Sequence, residues 1–310
     1  MFIDLLLLVV GFALLVKGAD WFVEGSSGIA DRLGIPQLVI GLTIVAMGTS
    51  APEAAVSITA ALKGNADITV GNIVGSNILN IFIILGIASV ITSIAVARTT
   101  IRYEIPSMLA ITLLLLGVGA TGEVVSLWEG IVLLVCFLGY LGYMFLMTKR
   151  GEMQAEEIES TQAAVWKLIL AVVVGLVLIV WGSDITVDAA TSLAKRFGMS
   201  ERFIDLTIVA LGTSLPELFT SVIAACKGKA DIAIGNIVGS NIFNILFVIG
   251  VSACILPVTF ATSFLFDCVV AILAGVVLWL CSFRHKKLTR AGGILMLLCY
   301  AAYFVYLLVK

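Results

Sequence analysis

The chain has 310 residues, 61% of them hydrophobic and only 12% charged, with a net charge of -2. A soluble domain carries about 25% charged and about 45–50% apolar residues, so this composition excludes a soluble globular protein and points to a chain embedded in membrane throughout. One histidine excludes multi-histidine metal ligation, and six scattered cysteines with no C-x-x-C pair give no support to a zinc site or a disulfide framework.

Apolar stretches predict transmembrane helices at 3–24, 37–61, 68–93, 104–121 and 124–147, then at 165–189, 202–225, 232–256, 263–283 and 288–309. The first run has no basic leader and reads as a retained helix, not a signal peptide. The run Lys149 to Glu159 is the one charged connector of any length. It separates a first five-helix unit, 1–147, from a second, 165–310, with 148–164 between them.

The two units are copies. Residues 40–54 match 204–218 at eleven of fifteen positions, and residues 65–81 match 229–245 at thirteen of seventeen, always at an offset of 164. Asp20 and Asp184 keep the same offset in the first helix of each unit. Five is odd, so the copies must enter the membrane from opposite sides. The predicted fold is therefore an all-α multispan membrane protein of ten transmembrane helices in two inverted five-helix repeats, an architecture that builds ion sites at the midplane. With the N-terminus outside, twelve Lys and Arg residues fall in inside connections and five in outside ones, which favours that orientation by the positive-inside bias. Lys195, Arg196 and Arg202 run against it.

The copied segments carry the chemistry. Gly48-Thr49-Ser50-Ala51-Pro52-Glu53 returns as Gly212-Thr213-Ser214-Leu215-Pro216-Glu217, which places one glutamate near mid-depth in an apolar helix of each repeat. A charged carboxylate there costs several kcal/mol unless a cation or polar partner offsets it; protonation or helix capping is the structural alternative. Proline before each glutamate removes a backbone donor and crowds the carbonyl at i-4, so the helices weaken near Gly48 and Gly212. The carbonyls of Ala46, Thr49, Ala210 and Thr213 could then turn toward an ion, although a proline kink can also serve packing alone. Thr49, Ser50, Thr213 and Ser214 add hydroxyls within a turn. Ser57 and Ser221, at i+4, fit packing equally well.

The second copied segment, Gly71-Asn72-Ile73-Val74-Gly75-Ser76-Asn77-Ile78, returns as residues 235–242. It sets Asn72, Ser76 and Asn80, and in the repeat Asn236, Ser240 and Asn244, along one polar stripe at i, i+4 spacing. Asn77 and Asn241 fall off that stripe and read as helix-contact or supporting residues. Every donor on offer is an oxygen, which suits calcium or sodium better than a transition metal.

These paired motifs resemble the two alpha-repeats of the calcium/cation antiporter superfamily, and the chain is most similar to its prokaryotic sodium/calcium exchanger branch. The resemblance implies Glu53 and Glu217 as shared calcium and sodium ligands. It implies that Ser50 and Ser76, with the Ala46 carbonyl, line one sodium position, and that Ser214 and Ser240, with the Ala210 carbonyl, line its counterpart. Thr49 and Thr213 would contribute backbone carbonyls, with Asn80 and Asn244 completing the middle. Some family members have aspartate where this chain has Asn244, so a third central acid is absent. The resemblance further implies sliding of the first and sixth helices, where Lys17 precedes Asp20. The expected activity is electrogenic export of Ca2+ in exchange for Na+ by alternating access. The chain is expected to be no enzyme and to have no cofactor beyond the transported ions, no nucleic-acid partner and a monomeric transport unit in a prokaryotic plasma membrane. A proton-coupled calcium antiporter and a cation channel are the competing readings.

Overall fold

The computed structural model describes residues 1–150, 163–199, 204, 207–208 and 210–309. Most of the connector 148–164, and Arg202 at the start of the predicted helix 202–225, lie outside the described residues. In chain order the first half contains α1 (Phe2–Leu33), α2 (Gln37–Thr49), α3 (Ala51–Leu62), α4 (Ile68–Ile91), α5 (Thr100–Gly122) and α6 (Leu127–Lys149). The second contains α7 (Val165–Arg196), α8 (Ala210–Thr213), α9 (Leu215–Cys226), α10 (Ala230–Ile255), α11 (Phe264–Phe283) and α12 (Arg290–Val309). Among the described residues, eight helices are long and apolar enough to cross a membrane, and the bent pair α2–α3 makes nine if taken as one span. α9 is a shorter apolar helix.

The helices sort by what their sequences can bury. α4 and α10 hold the copied Gly-Asn-Ile-Val-Gly-Ser-Asn-Ile segments, and 78% and 83% of their apolar stretches are buried. The other six long helices are buried over only 17–33% of theirs, leaving apolar faces for lipid. Polar side chains therefore collect at the centre, where other protein groups can satisfy them.

α1 and α7 are counterparts in the duplication, and they lie against each other antiparallel. A side chain at Gly11 would meet Gly182 and Thr186, one at Gly18 would meet Gly175 and Ile179, and one at Gly25 would meet Leu168 and Val172. Small residues at this spacing let two backbones approach closely enough to gain dispersion contact in a bilayer, where apolar burial gives little. The packing also carries α1 past the predicted end at residue 24. The run Gly25-Ser26-Ser27-Gly28 stays helical against α7, and the helix ends at Gly34 in the left-handed conformation (φ 65°).

Lys17 bonds Asp20 at 3.0 Å, which settles its role as an ion-pair partner on α1. Lys227, just beyond α9, also holds Asp20 and lies 2.6 Å from Glu24, tying the later half of α1 to the second repeat. Partial burial acts to lower the Lys227 pKa, but the two carboxylates outweigh it and hold the ammonium above its ordinary range.

Four short strands join the helix ends in two ribbons. β1 (Ile94–Ala95) pairs antiparallel with β4 (Lys287–Leu288), and β2 (Val124–Val125) with β3 (Val258–Thr259). β1 and β3 occupy matching places in the two halves, as do β2 and β4, so the ribbons repeat the duplication across the molecule.

Candidate cation site

The bend that makes the site is written in each Pro-Glu pair. α2 and α3 meet at Ser50 with a 50° bend, and Pro52 sits in the first turn of α3, where its missing N–H is tolerated. Ser50 (φ -82°, ψ 8°) and Ser214 (φ -91°, ψ 4°) share one non-helical conformation. Each glutamate consequently lies in the first turn of a helix, α3 for Glu53 and α9 for Glu217. The exposed N–H groups there favour negative charge. Pro216 also frees the carbonyl of Gly212, which accepts a 2.7 Å hydrogen bond from the Ser183 hydroxyl. Sequence reasoning missed Ser183. The proline signals that the carbonyl at i-4 needs a donor, but not which residue supplies it.

Glu53 and Glu217 are 1% and 0% exposed. The serines reach across the duplication: Ser50 Oγ donates to Glu217 Oε1 at 2.8 Å, and Ser214 Oγ donates to Glu53 Oε1 at 3.3 Å. Each carboxylate thus has one oxygen held by the other repeat, while its Oε2 is buried with no partner among the described residues. The Oδ1 atoms of Asn80 and Asn244 are likewise buried and unpartnered. Both asparagines open a π-helical turn, Asn80–Leu85 and Asn244–Ile249. α3 packs on the second of these turns and α9 on the first, so the duplication crosses here too. Leaving a buried acceptor unmade costs about 1–3 kcal/mol, more if charged. Four such oxygens, two of them carboxylate, therefore carry that cost.

Several of the remaining predicted residues hydrogen-bond between helices. Thr49 Oγ1 donates to Asn236 Oδ1 at 2.9 Å, so its side chain serves a contact between the repeats. Asn236 Nδ2 donates to Ser221 Oγ at 2.9 Å, and Asn72 Nδ2 donates to Ser57 Oγ at 2.9 Å and to the Glu53 carbonyl at 3.3 Å. Ser57 and Ser221 therefore accept from asparagines that brace the glutamate helices. Ser240 Oγ lies 3.4 Å from the Ala46 carbonyl, which also closes a helical bond to Ser50 N at 3.0 Å. That sets Ala46 beside the serine of the other repeat. Ser76 is buried, Ala210 begins α8, and Thr213 lines a cavity of about 620 Å³ with Pro52, Ser183, Asp184, Asp188 and Gly212.

The profile of the family described as sodium/calcium exchanger protein matches residues 3–146 and 167–309, nearly all of the chain. The chain belongs to the sodium/calcium exchanger family. This exchanger is 42% identical to CaxA of Alkalimonas amylolytica over 98% of each chain. It is 30% identical to the sodium/calcium exchanger MaX1 of Methanosarcina acetivorans, also over 98% of each. The solved structure of the sodium-calcium exchanger NCX_Mj, soaked with zero Na+ and Ca2+, superposes on it with a TM-score of 0.86 at 30% identity over 99% of each chain. The exchanger is thus an integral membrane antiporter on the prokaryotic sodium/calcium branch of the calcium/cation antiporter superfamily, with Ca2+ and Na+ as substrates, and not an enzyme. Among the described residues, no group of three or more His, Cys, Asp or Glu side chains gathers.

Proposed function

We propose that this antiporter exports Ca2+ from a prokaryotic cell in electrogenic exchange for Na+, by alternating access to one centre built from both repeats. The observation that carries the reading is the set of four unpartnered buried oxygens on Glu53, Glu217, Asn80 and Asn244. Calcium takes six to eight oxygens at about 2.3–2.6 Å. Ser50, Ser76, Ser214 and Ser240, with the carbonyls of Ala46, Thr49, Ala210 and Thr213, supply further oxygens for Ca2+ or, in its place, Na+. Competition for two shared carboxylates prevents both loads from binding together, and that exclusion makes the transport an exchange.

Ten spans in two inverted five-helix repeats, 1–147 and 165–310 about the connector 148–164, provide the frame. Two observations support it. The matched helices α1 and α7 run antiparallel. The β1–β4 ribbon requires both strands on one membrane face, and hence an even number of crossings between them. α5, α6, α7, α10 and α11 supply five, and in this reading a crossing at α8–α9 supplies the sixth. With the N-terminus outside, the cavity lined by Pro52, Asp184, Asp188 and Thr213 lies along the outer half of α7, while the Lys227 ion pairs lie on the inner half of α1. Both glutamates come from one chain, so a monomer suffices.

Vesicles holding the purified protein and loaded with Na+ should take up Ca2+ strongly, and internal choline in place of Na+ should abolish uptake. Uptake that persists in choline and follows a pH gradient would overturn sodium coupling in favour of protons.

A further inference from the structure

We propose that Asn77 and Asn241, which contact no bound ion in the reading above, are positioning residues that force Asn80 and Asn244 to present oxygen to the cation. The inference rests on the proposed central site and assigns the supporting pair a specific task.

The four asparagines form a closed network where α4 meets α10. Asn77 Nδ2 donates to the backbone carbonyl of Asn241 at 3.2 Å, and Asn241 Nδ2 donates to the backbone carbonyl of Asn77 at 3.2 Å. Residues 77 and 241 are counterparts in the duplication, so this reciprocal clasp spans the pseudo-two-fold relation between the repeats. Asn244 Nδ2 then donates to Asn77 Oδ1 at 3.1 Å, and Asn80 Nδ2 donates to Asn241 Oδ1 at 3.0 Å.

An asparagine side chain has an acceptor on one side and a donor on the other, and turning it over exchanges them. A backbone carbonyl can only accept. The group that Asn77 turns toward Asn241 must therefore be its NH2, which leaves Oδ1 on its other side. That oxygen can be met only by the NH2 of Asn244, and Asn244 Oδ1 is left facing away. The same deduction runs from Asn241 to Asn80. Both resulting oxygens are buried without a partner, on asparagines that are 1% and 0% exposed. Without the clasp either amide could turn over and offer its NH2 dipole to a cation, replacing attraction by repulsion. Two backbone carbonyls thus set the polarity of the site through a relay of two amides, a device available to this chain because position 244 carries an amide able to donate.

The experiment measures the Ca2+ KM and saturating turnover of Na+-loaded vesicles for Asn77→Ala, Asn244→Ala and the double variant, with Asn241→Ala and Asn80→Ala as the mirror set. Asn77→Ala should raise the Ca2+ KM on the order of tenfold, the usual scale for losing a residue that orients a ligand, while saturating turnover is retained. In the double variant Asn77→Ala should add nothing to Asn244→Ala, because the residue it positions is gone. An unchanged KM, or effects that add fully in the double variant, overturns the positioning role while leaving the central site standing. A normal Ca2+ KM in Asn244→Ala overturns it differently, by removing Asn244 from the site itself. If Asn77→Ala does not fold, Asn77→Leu fills similar space without either polar group and carries the same test.

Discussion

The chemistry of this exchanger narrows to two carboxylates whose charge has no protein counter-ion in the hydrogen-bond set around them. Ser50 and Ser214 neutralise nothing; they hold one oxygen of each and leave the other for cargo. Replacing either acid by its amide keeps the shape and removes the charge. Glu53→Gln and Glu217→Gln should each yield an inserted, folded protein with Ca2+ exchange reduced by a hundredfold or more, about 3–5 kcal/mol for removing one partner of a buried charge pair. Ca2+ flux and melting in detergent measure the two effects separately, and normal flux in either variant removes that residue from the centre. The sequence singles out both glutamates because an acid inside a 61% hydrophobic chain needs a reason, and both are buried in the structure. The crossed pairing of Ser50 with Glu217 is not legible there, because it depends on how two bent helices face each other.

At the scale of elements, the antiparallel pair α1–α7 is held by close backbone approach more than by large side chains. A Cβ at Gly175 would lie 2.6 Å from Phe22 N and 2.8 Å from the Gly18 carbonyl, both backbone atoms with nowhere to turn. Gly175→Val must therefore push the helices apart, and melting should show a loss of about 1–3 kcal/mol, the usual cost of overpacking. Unchanged melting would mean the seam is not tight. The sequence misjudged the length of α1 for the same reason. Gly25-Ser26-Ser27-Gly28 has poor intrinsic helix propensity, and only its burial against Leu168 and Val172 keeps it helical.

For the whole molecule, the proposed opposite insertion of the two copies would let one centre be approached from either face. Electrogenic exchange predicts that membrane potential alone drives transport. Vesicles clamped at opposite potentials with the same Na+ and Ca2+ concentrations on both sides should move Ca2+ in opposite directions, at about 2.3 kcal/mol per net charge per 100 mV. Equal fluxes at both potentials would make the exchange electroneutral.

By itself the sequence determined that the chain lives in membrane, that it is duplicated, and that each copy sets one acid with amide and hydroxyl neighbours in apolar surroundings. The duplication follows from the chain's match to itself, and the rest from the cost of polarity in hydrocarbon, neither of which needs coordinates. Tertiary structure decided which serine serves which glutamate, that Ser183 caps the carbonyl freed by Pro216, and that Asn77 and Asn241 clasp each other across the repeats. Hydrogen bonds between residues 161 to 167 positions apart depend on helix packing, and neither periodicity nor spacing along one helix encodes that.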